Sequence, residues 1–182
     1  NREENPREVV AQLRGLIPHI VVTHPMTVQD NVRLYTQFGE IFDRPGEARQ
    51  LVQRFERAQE QLLCLDLAQI RVLYLIWRNP WMTVASNTFI SDMLAQVKLV
   101  TVPDTTDQQI STDAQRYPVL QDDALATARA DAVLMSSEPY RFADADAVHI
   151  NALPGMQRTH CQMIDGEMTS WYGSRAILGL EY

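Results

Sequence analysis

Two kinds of apolar spacing alternate along this chain. Residues 20–23, 71–76, 98–102, 132–135 and 159–164 are short segments rich in aliphatic side chains, and each reads as a strand. The run Val72-Leu73-Tyr74-Leu75-Ile76 has no polar interruption, the pattern of a strand covered on both faces of a parallel sheet. Between the strands, apolar residues recur every three or four positions and predict helices over 7–16, 28–42, 88–96, 122–129, 145–153 and 173–180. The longest helix is expected over 47–67. Ala48, Leu51, Val52, Phe55, Ala58, Leu62 and Leu65 line one side of it, with Arg49, Arg54, Glu56, Arg57 and Glu60 on the other. At 1.5 Å per residue it would reach about 30 Å, enough for a rigid connector.

Local signals agree with these limits. Pro6 suits the first turn of a helix. Thr27 and Asn87 are candidate N-caps, and Asp30 sits where a helix dipole favours an acid. Asp43-Arg44-Pro45-Gly46 is a turn, Pro154-Gly155 closes a helix, and 104–115 is polar and turn-rich. Alternating strands and helices predict an α/β fold with a mainly parallel sheet.

Composition narrows the function. Hydrophobic residues make up 46% of the 182, so a packed core is expected rather than disorder. The net charge of −7 disfavours nucleic acid and anionic membranes as partners. No apolar run reaches the ~18 residues of a transmembrane helix. The segment from Asn1 to Glu4 is no signal peptide, so the chain reads as processed, trimmed or a fragment. Cys64 and Cys161 fit no metal or redox spacing. They read as small buried hydrophobes, or as one long-range disulfide in a secreted protein. His19, His24, His149 and His160 are scattered without paired-ligand spacing. Asp144-Ala145-Asp146 lacks the rest of a calcium loop and reads as a helix start. No catalytic motif is present, so no resident metal or cofactor is expected.

Three loops carry the candidate chemistry. Trp77-Arg78-Asn79-Pro80-Trp81-Met82 follows a strand end, where open α/β sheets bind ligands. Trp81 offers a flat apolar face, or else packs the core. Ser136-Ser137-Glu138-Pro139-Tyr140 follows another strand, with hydroxyls for polar ligand groups or for a turn. Trp171-Tyr172-Gly173-Ser174-Arg175 forms the third. There Arg175 can hold a carboxylate or phosphate, or tie the last helix to the sheet.

Taken with Asn87 to Leu94, Ser136 to Phe142 and Asp165-Gly166, these motifs resemble one family. It is the helical-backbone metal-receptor class of periplasmic solute-binding proteins, which deliver vitamin B12, ferric siderophores or haem to ABC importers. The resemblance implies two α/β lobes joined by one long helix, with ligand between them. Residues 1–46 would be the final part of the first lobe, 47–67 the linker helix, and 68–182 a Rossmann-like second lobe. It implies capture of an iron chelate or a corrinoid, not catalysis, in a periplasmic or lipid-anchored setting. Trp81, Met82, Tyr117, Ser136, Trp171, Tyr172 and Arg175 would then touch the ligand. Tyr117-Pro118 corresponds to an aromatic–proline pair at the cleft of the vitamin B12-binding relative. Asp122 or Asp123, with Glu8 or Glu4 on the first lobe, would dock arginines of the ABC transporter permease. Two other classes compete: a small α/β hydrolase with Ser136 or Ser174 as nucleophile, and a protein-interaction domain built on the aromatic patch.

Overall fold

The apolar run at 70–77 forms β1 (Ile70–Trp77), and the rest of the sheet assembles on it. The computed structural model describes Arg2, Asn5 and residues 7–103 and 116–182. β1 pairs in parallel with β5 (Ala132–Ser136) on one edge, Leu73 opposite Val133. On the other edge its first half pairs in parallel with β3 (Leu99–Thr101). Its second half pairs antiparallel with β2 (Trp81–Thr83). β6 (His160–Ile164) extends the sheet beyond β5 in parallel, and β4 (Val119–Leu120) beyond β2 antiparallel. The predicted α/β class holds. The two antiparallel strands, too short to show a period, are additions to the expected pattern.

Alternation along β1 decides the layers, because neighbouring side chains point to opposite faces. Leu73 and Leu75, with Val133 and Met135, pack against Leu125 of α5 (Asp122–Thr127) and Ile150 of α6 (Asp144–Ala152). Val72, Tyr74 and Leu134 face Ile90 and Leu94 of α4 (Phe89–Ala95). A further cluster covers the outer side of α4. Val28, Tyr35 of α2 (Asp30–Ile41), and Phe55 and Ala58 of α3 (Pro45–Leu63) pack on Phe89, Met93, Ala176, Ile177 and Leu180. The last three belong to α8 (Ser174–Glu181). The long helix is therefore not a free-standing rod. Its apolar face is seated on the sheet's helical layer, and Arg54 adds a two-point contact to Glu181 at 3.1 and 2.7 Å.

Several boundaries differ from expectation. The first helix, α1, covers only Arg7–Leu13. The long helix stops at Leu63 rather than 67. The cap of α4 is Thr88, whose hydroxyl accepts from Ser91 N at 3.2 Å, not Asn87. Residues 20–23 form no strand. Val21 and Val22 are exposed, and the segment bonds through Arg2 N to Thr23 O at 2.9 Å. A strand exists only where a neighbour completes its ladder, and among the described residues this bond from Arg2 is the only backbone bond made to the segment from outside it. Cys64 is exposed rather than buried, Cys161 is half-buried, and the two are not bonded. Glu4 and the polar segment 104–115 lie outside the described residues.

The start of α2 is closed reciprocally. Thr27 Oγ1 accepts from Asp30 N at 3.3 Å, and Asp30 Oδ2 accepts from Met26 N and Thr27 N at 2.8 and 2.9 Å. Desolvation pushes the Asp30 carboxyl up, but these N–H donors and the charge of Arg33 outweigh it and leave it below its ordinary value. Ionised Asp30 therefore stabilises the fold above the unfolded carboxyl value of 3.8, and that contribution is lost as pH falls through the lower folded value. Asp30→Asn is expected to melt about 2–4 °C lower at neutral pH, the scale of one lost cap. The gap should narrow in acid. A gap that stayed constant down to pH 2 would show the charge to be idle.

Candidate functional site

The parallel strands β1, β5 and β6 end on one side of the sheet, and their following loops meet there. After β5 the chain continues through Ser137 to Phe142. After β6 it enters α7 (Gly166–Ser170), capped by Asp165, whose carboxylate accepts from Glu167 N and Met168 N at 2.9 and 3.4 Å. The two loops are laced together. Ser137 N donates to Ile164 O at 3.0 Å and Gly166 N to Ser137 Oγ at 3.0 Å. Residue 166 must be glycine for this approach. A Cβ there would sit 2.4 Å from Ser136 Oγ and 2.6 Å from Glu138 Cγ. Tyr74 OH lies 2.6 Å from Thr169 Oγ1 and fixes α7 from below.

On this frame Glu138 is the polar centre. Its Oε1 accepts from Trp171 Nε1 at 2.6 Å and from Ser170 Oγ at 3.2 Å. The Trp171 ring keeps half its surface exposed. Two residues along, Tyr140 packs edge-on against Trp77 with centroids 5.6 Å apart, and Trp77 is 39% exposed. Tyr140 also meets Phe142 at 4.8 Å, and Phe142 stacks on Trp81 at 6.5 Å with parallel planes. The four rings form a ladder from solvent to core. Trp77 is its wet end and Trp81 its dry end.

That ladder reassigns several candidates. Trp81 is only 5% exposed, its N–H donates to Asp122 Oδ1 at 2.7 Å, and the Arg78 guanidinium covers it at 5.2 Å. It packs the core and presents no face to a ligand. Arg78 is itself held by the buried Asp146 carboxylate, which also accepts from Ala143 N. Ser136 is the last residue of β5, paired opposite Ile164. Its side chain is buried and donates to Glu138 O at 2.7 Å. It can reach neither ligand nor substrate. Arg175 is paired with Glu167 at 3.1 Å. Tyr172 leans on Phe89 at 5.9 Å within the helical core. Tyr117 is half-buried beside Arg116 and packs on the α4 face of the sheet, and Met82 is half-buried in β2. The structure thus brings Trp171 to the strand ends but not Trp81 or Ser136. The residues that join it, Glu138, Tyr140 and Trp77, belong to the same sequence motifs but were not among the expected contacts. Counting past β5 would have found Glu138 and Tyr140: Ser136 still follows the inward alternation, and the next residues are the first released from it, whereas Trp77 is the last residue of β1.

The loop carrying Trp171 is also tied from the far side. Gly173 has φ +73° and ψ −144°, a conformation open to glycine alone. Its N–H donates to Asn31 Oδ1 at 2.7 Å, and its C=O accepts from Tyr35 OH at 2.7 Å. Burial pushes the Tyr35 phenol up, so it stays a neutral donor. Beside this clamp lies an open apolar groove of about 510 Å³, walled by Leu34, Phe38, Phe42, Leu51 and Tyr172.

Of the acids expected at a partner surface, Asp123 and Glu8 are exposed at the starts of α5 and α1. Asp122 is engaged with Trp81. Among the described residues no group of three His, Cys, Asp or Glu side chains converges as a metal site, and no helix is long and apolar enough to cross a membrane.

No family model and no curated protein sequence matches the chain. Solved structures do. The periplasmic haem-binding protein HutB of Vibrio cholerae superposes with a TM-score of 0.74 at 19% identity, over 100% of this chain and 72% of that one. A possible iron-binding, periplasmic solute-binding protein of Staphylococcus epidermidis gives 0.73 at 16%, over 96% and 68%. The periplasmic vitamin B12-binding protein BtuF of Vibrio cholerae gives 0.69 at 15%, over 97% and 68%. At these identities the likeness is one of architecture: the chain has the α/β fold of these substrate-binding proteins.

Proposed function

We propose that the protein is a solute-binding component of an ABC importer, capturing an iron chelate, haem or a corrinoid outside the cytoplasmic membrane and handing it to the permease. One observation carries the reading. Three partly exposed aromatic rings stand at or beyond the ends of separate parallel strands, Trp77 as the last residue of β1, Tyr140 after β5 and Trp171 after β6, the side on which open α/β sheets take ligands. Flat apolar faces with few polar groups suit a macrocycle or an aromatic chelator. The fold it shares with the haem-, iron- and vitamin B12-binding proteins above supports the same reading.

In this proposal Trp77, Tyr140 and Trp171 cover the ligand, with Met82, Tyr117 and Tyr172 in flanking positions. Asp123 and Glu8 dock the permease. Residues 1–46 belong to a first lobe, 47–67 to the linker and 68–182 to the second lobe. The work is capture and release, with no bond made or broken.

Thermal melting tests this with cyanocobalamin, a ferric hydroxamate, a ferric catecholate and haemin, each in excess. A ligand at about 100 times its dissociation constant adds roughly 2.7 kcal/mol to the folded state. For a chain of this size that raises the midpoint by several degrees. A shift with one class names the cargo. No shift with any of the four would sink the receptor reading.

A further inference from the structure

We infer that the site accepts uncharged or cationic ligands and rejects polyanionic ones, with the Glu138 carboxylate as the selecting group. This rests on the receptor reading above and narrows its ligand class.

The argument is one of charge accounting at the strand ends. Glu138 is half-buried between the loops, and the groups that face its carboxylate, the Trp171 indole N–H and the Ser170 hydroxyl, whose one proton Gly166 O also claims, are neutral. Among the described residues no Lys, Arg or His forms an ion pair with it. The cations nearest in sequence are already committed. Arg78 is bound to Asp146 and laid over Trp81, and Arg175 is bound to Glu167. Arg141, on the same loop, is exposed, where salt screens its field. The site therefore carries a negative charge that its own side chains do not neutralise.

That charge and the rings act in the same direction. A ligand over Trp171 lies beside the carboxylate that holds the indole. A second negative charge there meets like-charge repulsion in a partly desolvated place, where it is screened less than on the surface. A positive centre is attracted both by the carboxylate and by the faces of Trp77, Tyr140 and Trp171. A neutral macrocycle keeps the full apolar contact without penalty.

The test uses four probes of known charge: cyanocobalamin and a neutral ferric hydroxamate on one side, haemin and a ferric tris-catecholate on the other. Binding is followed by calorimetry on native protein and on Glu138→Gln. Glutamine keeps an oxygen for the Trp171 N–H and removes only the charge. Slow solvent exchange of the Trp171 indole N–H in both proteins, its resonance assigned with Trp171→Phe, checks that the bond is kept. At least one neutral probe should bind native protein on the order of tenfold more tightly than either anionic one. Glu138→Gln should close most of that gap by strengthening the anionic probes. If haemin or the catecholate binds native protein as tightly as the best neutral probe, the selection is wrong while the receptor reading stands. A ratio that stays the same in Glu138→Gln overturns the selection in the same way. If no probe binds either protein, the receptor reading falls and this inference with it.

Discussion

Trp81→Ala will cost roughly 3–5 kcal/mol of stability, the range for removing a buried aromatic, and lower the melting midpoint by on the order of 10 °C. Trp171→Ala will leave the midpoint nearly unchanged and weaken ligand binding by about 30-fold, as loss of an interfacial aromatic anchor does. The contrast follows from where each ring spends its surface. Trp81 is 5% exposed, stacked on Phe142, covered by Arg78 and bonded to Asp122, so alanine opens a cavity in the core. Trp171 is 49% exposed and fastened at one point, its N–H on Glu138, so little packing is lost. Calorimetric melting of both variants, with titration of the ligand identified by the thermal screen, separates the two roles. Loss of binding in Trp81→Ala at a temperature where it is fully folded would return that ring to the site.

In the sequence both tryptophans are cleft candidates because each follows an expected strand, with core packing as the alternative for Trp81. Only the β2 turn distinguishes them. After Trp77 the chain reverses and pairs Met82 back against Trp77, which folds Trp81 onto the sheet. A three-residue strand has no period to read, so this reversal was invisible. β1 and the apolar face of α3 were legible because each is a long run with a single spacing. Their contacts, Leu73 and Leu75 to one layer and Phe55 to another, lie where that spacing puts them. The expected strand at 20–23 failed for the opposite reason. Its composition satisfied the local rule, but a ladder is a property of two segments and the partner cannot be read from one. The same limit hid Glu138. Its role depends on Trp171, 33 residues away, and on Gly166 lacking a side chain that would collide with it.

Asn31→Ala is the variant expected to couple stability to binding. Asn31 is fully buried. Its Nδ2 donates to Val28 O at 2.8 Å, and its Oδ1 takes the Gly173 N–H at 2.7 Å. Alanine leaves the half-buried Gly173 N–H without this partner, while Val28 O keeps the Asn31 backbone N–H at 3.2 Å, so a loss of about 1–3 kcal/mol is expected. The Gly173 N–H lies two residues from Trp171, and Gly173 is held in a conformation that the neighbouring contacts must maintain. Releasing one of its two bonds frees the loop from α2 and should weaken ligand binding even where the protein remains folded. Tyr35→Phe removes only the bond to Gly173 O and keeps the ring on Phe55, so it should cost about 1 kcal/mol and a smaller share of affinity. Hydrogen exchange at the Gly173 amide reads the clamp directly. Faster exchange in Asn31→Ala, with the core amides of β1 unchanged, is the expected result. Equal exchange at Gly173 in native and variant protein would mean that α2 does not hold the ligand loop.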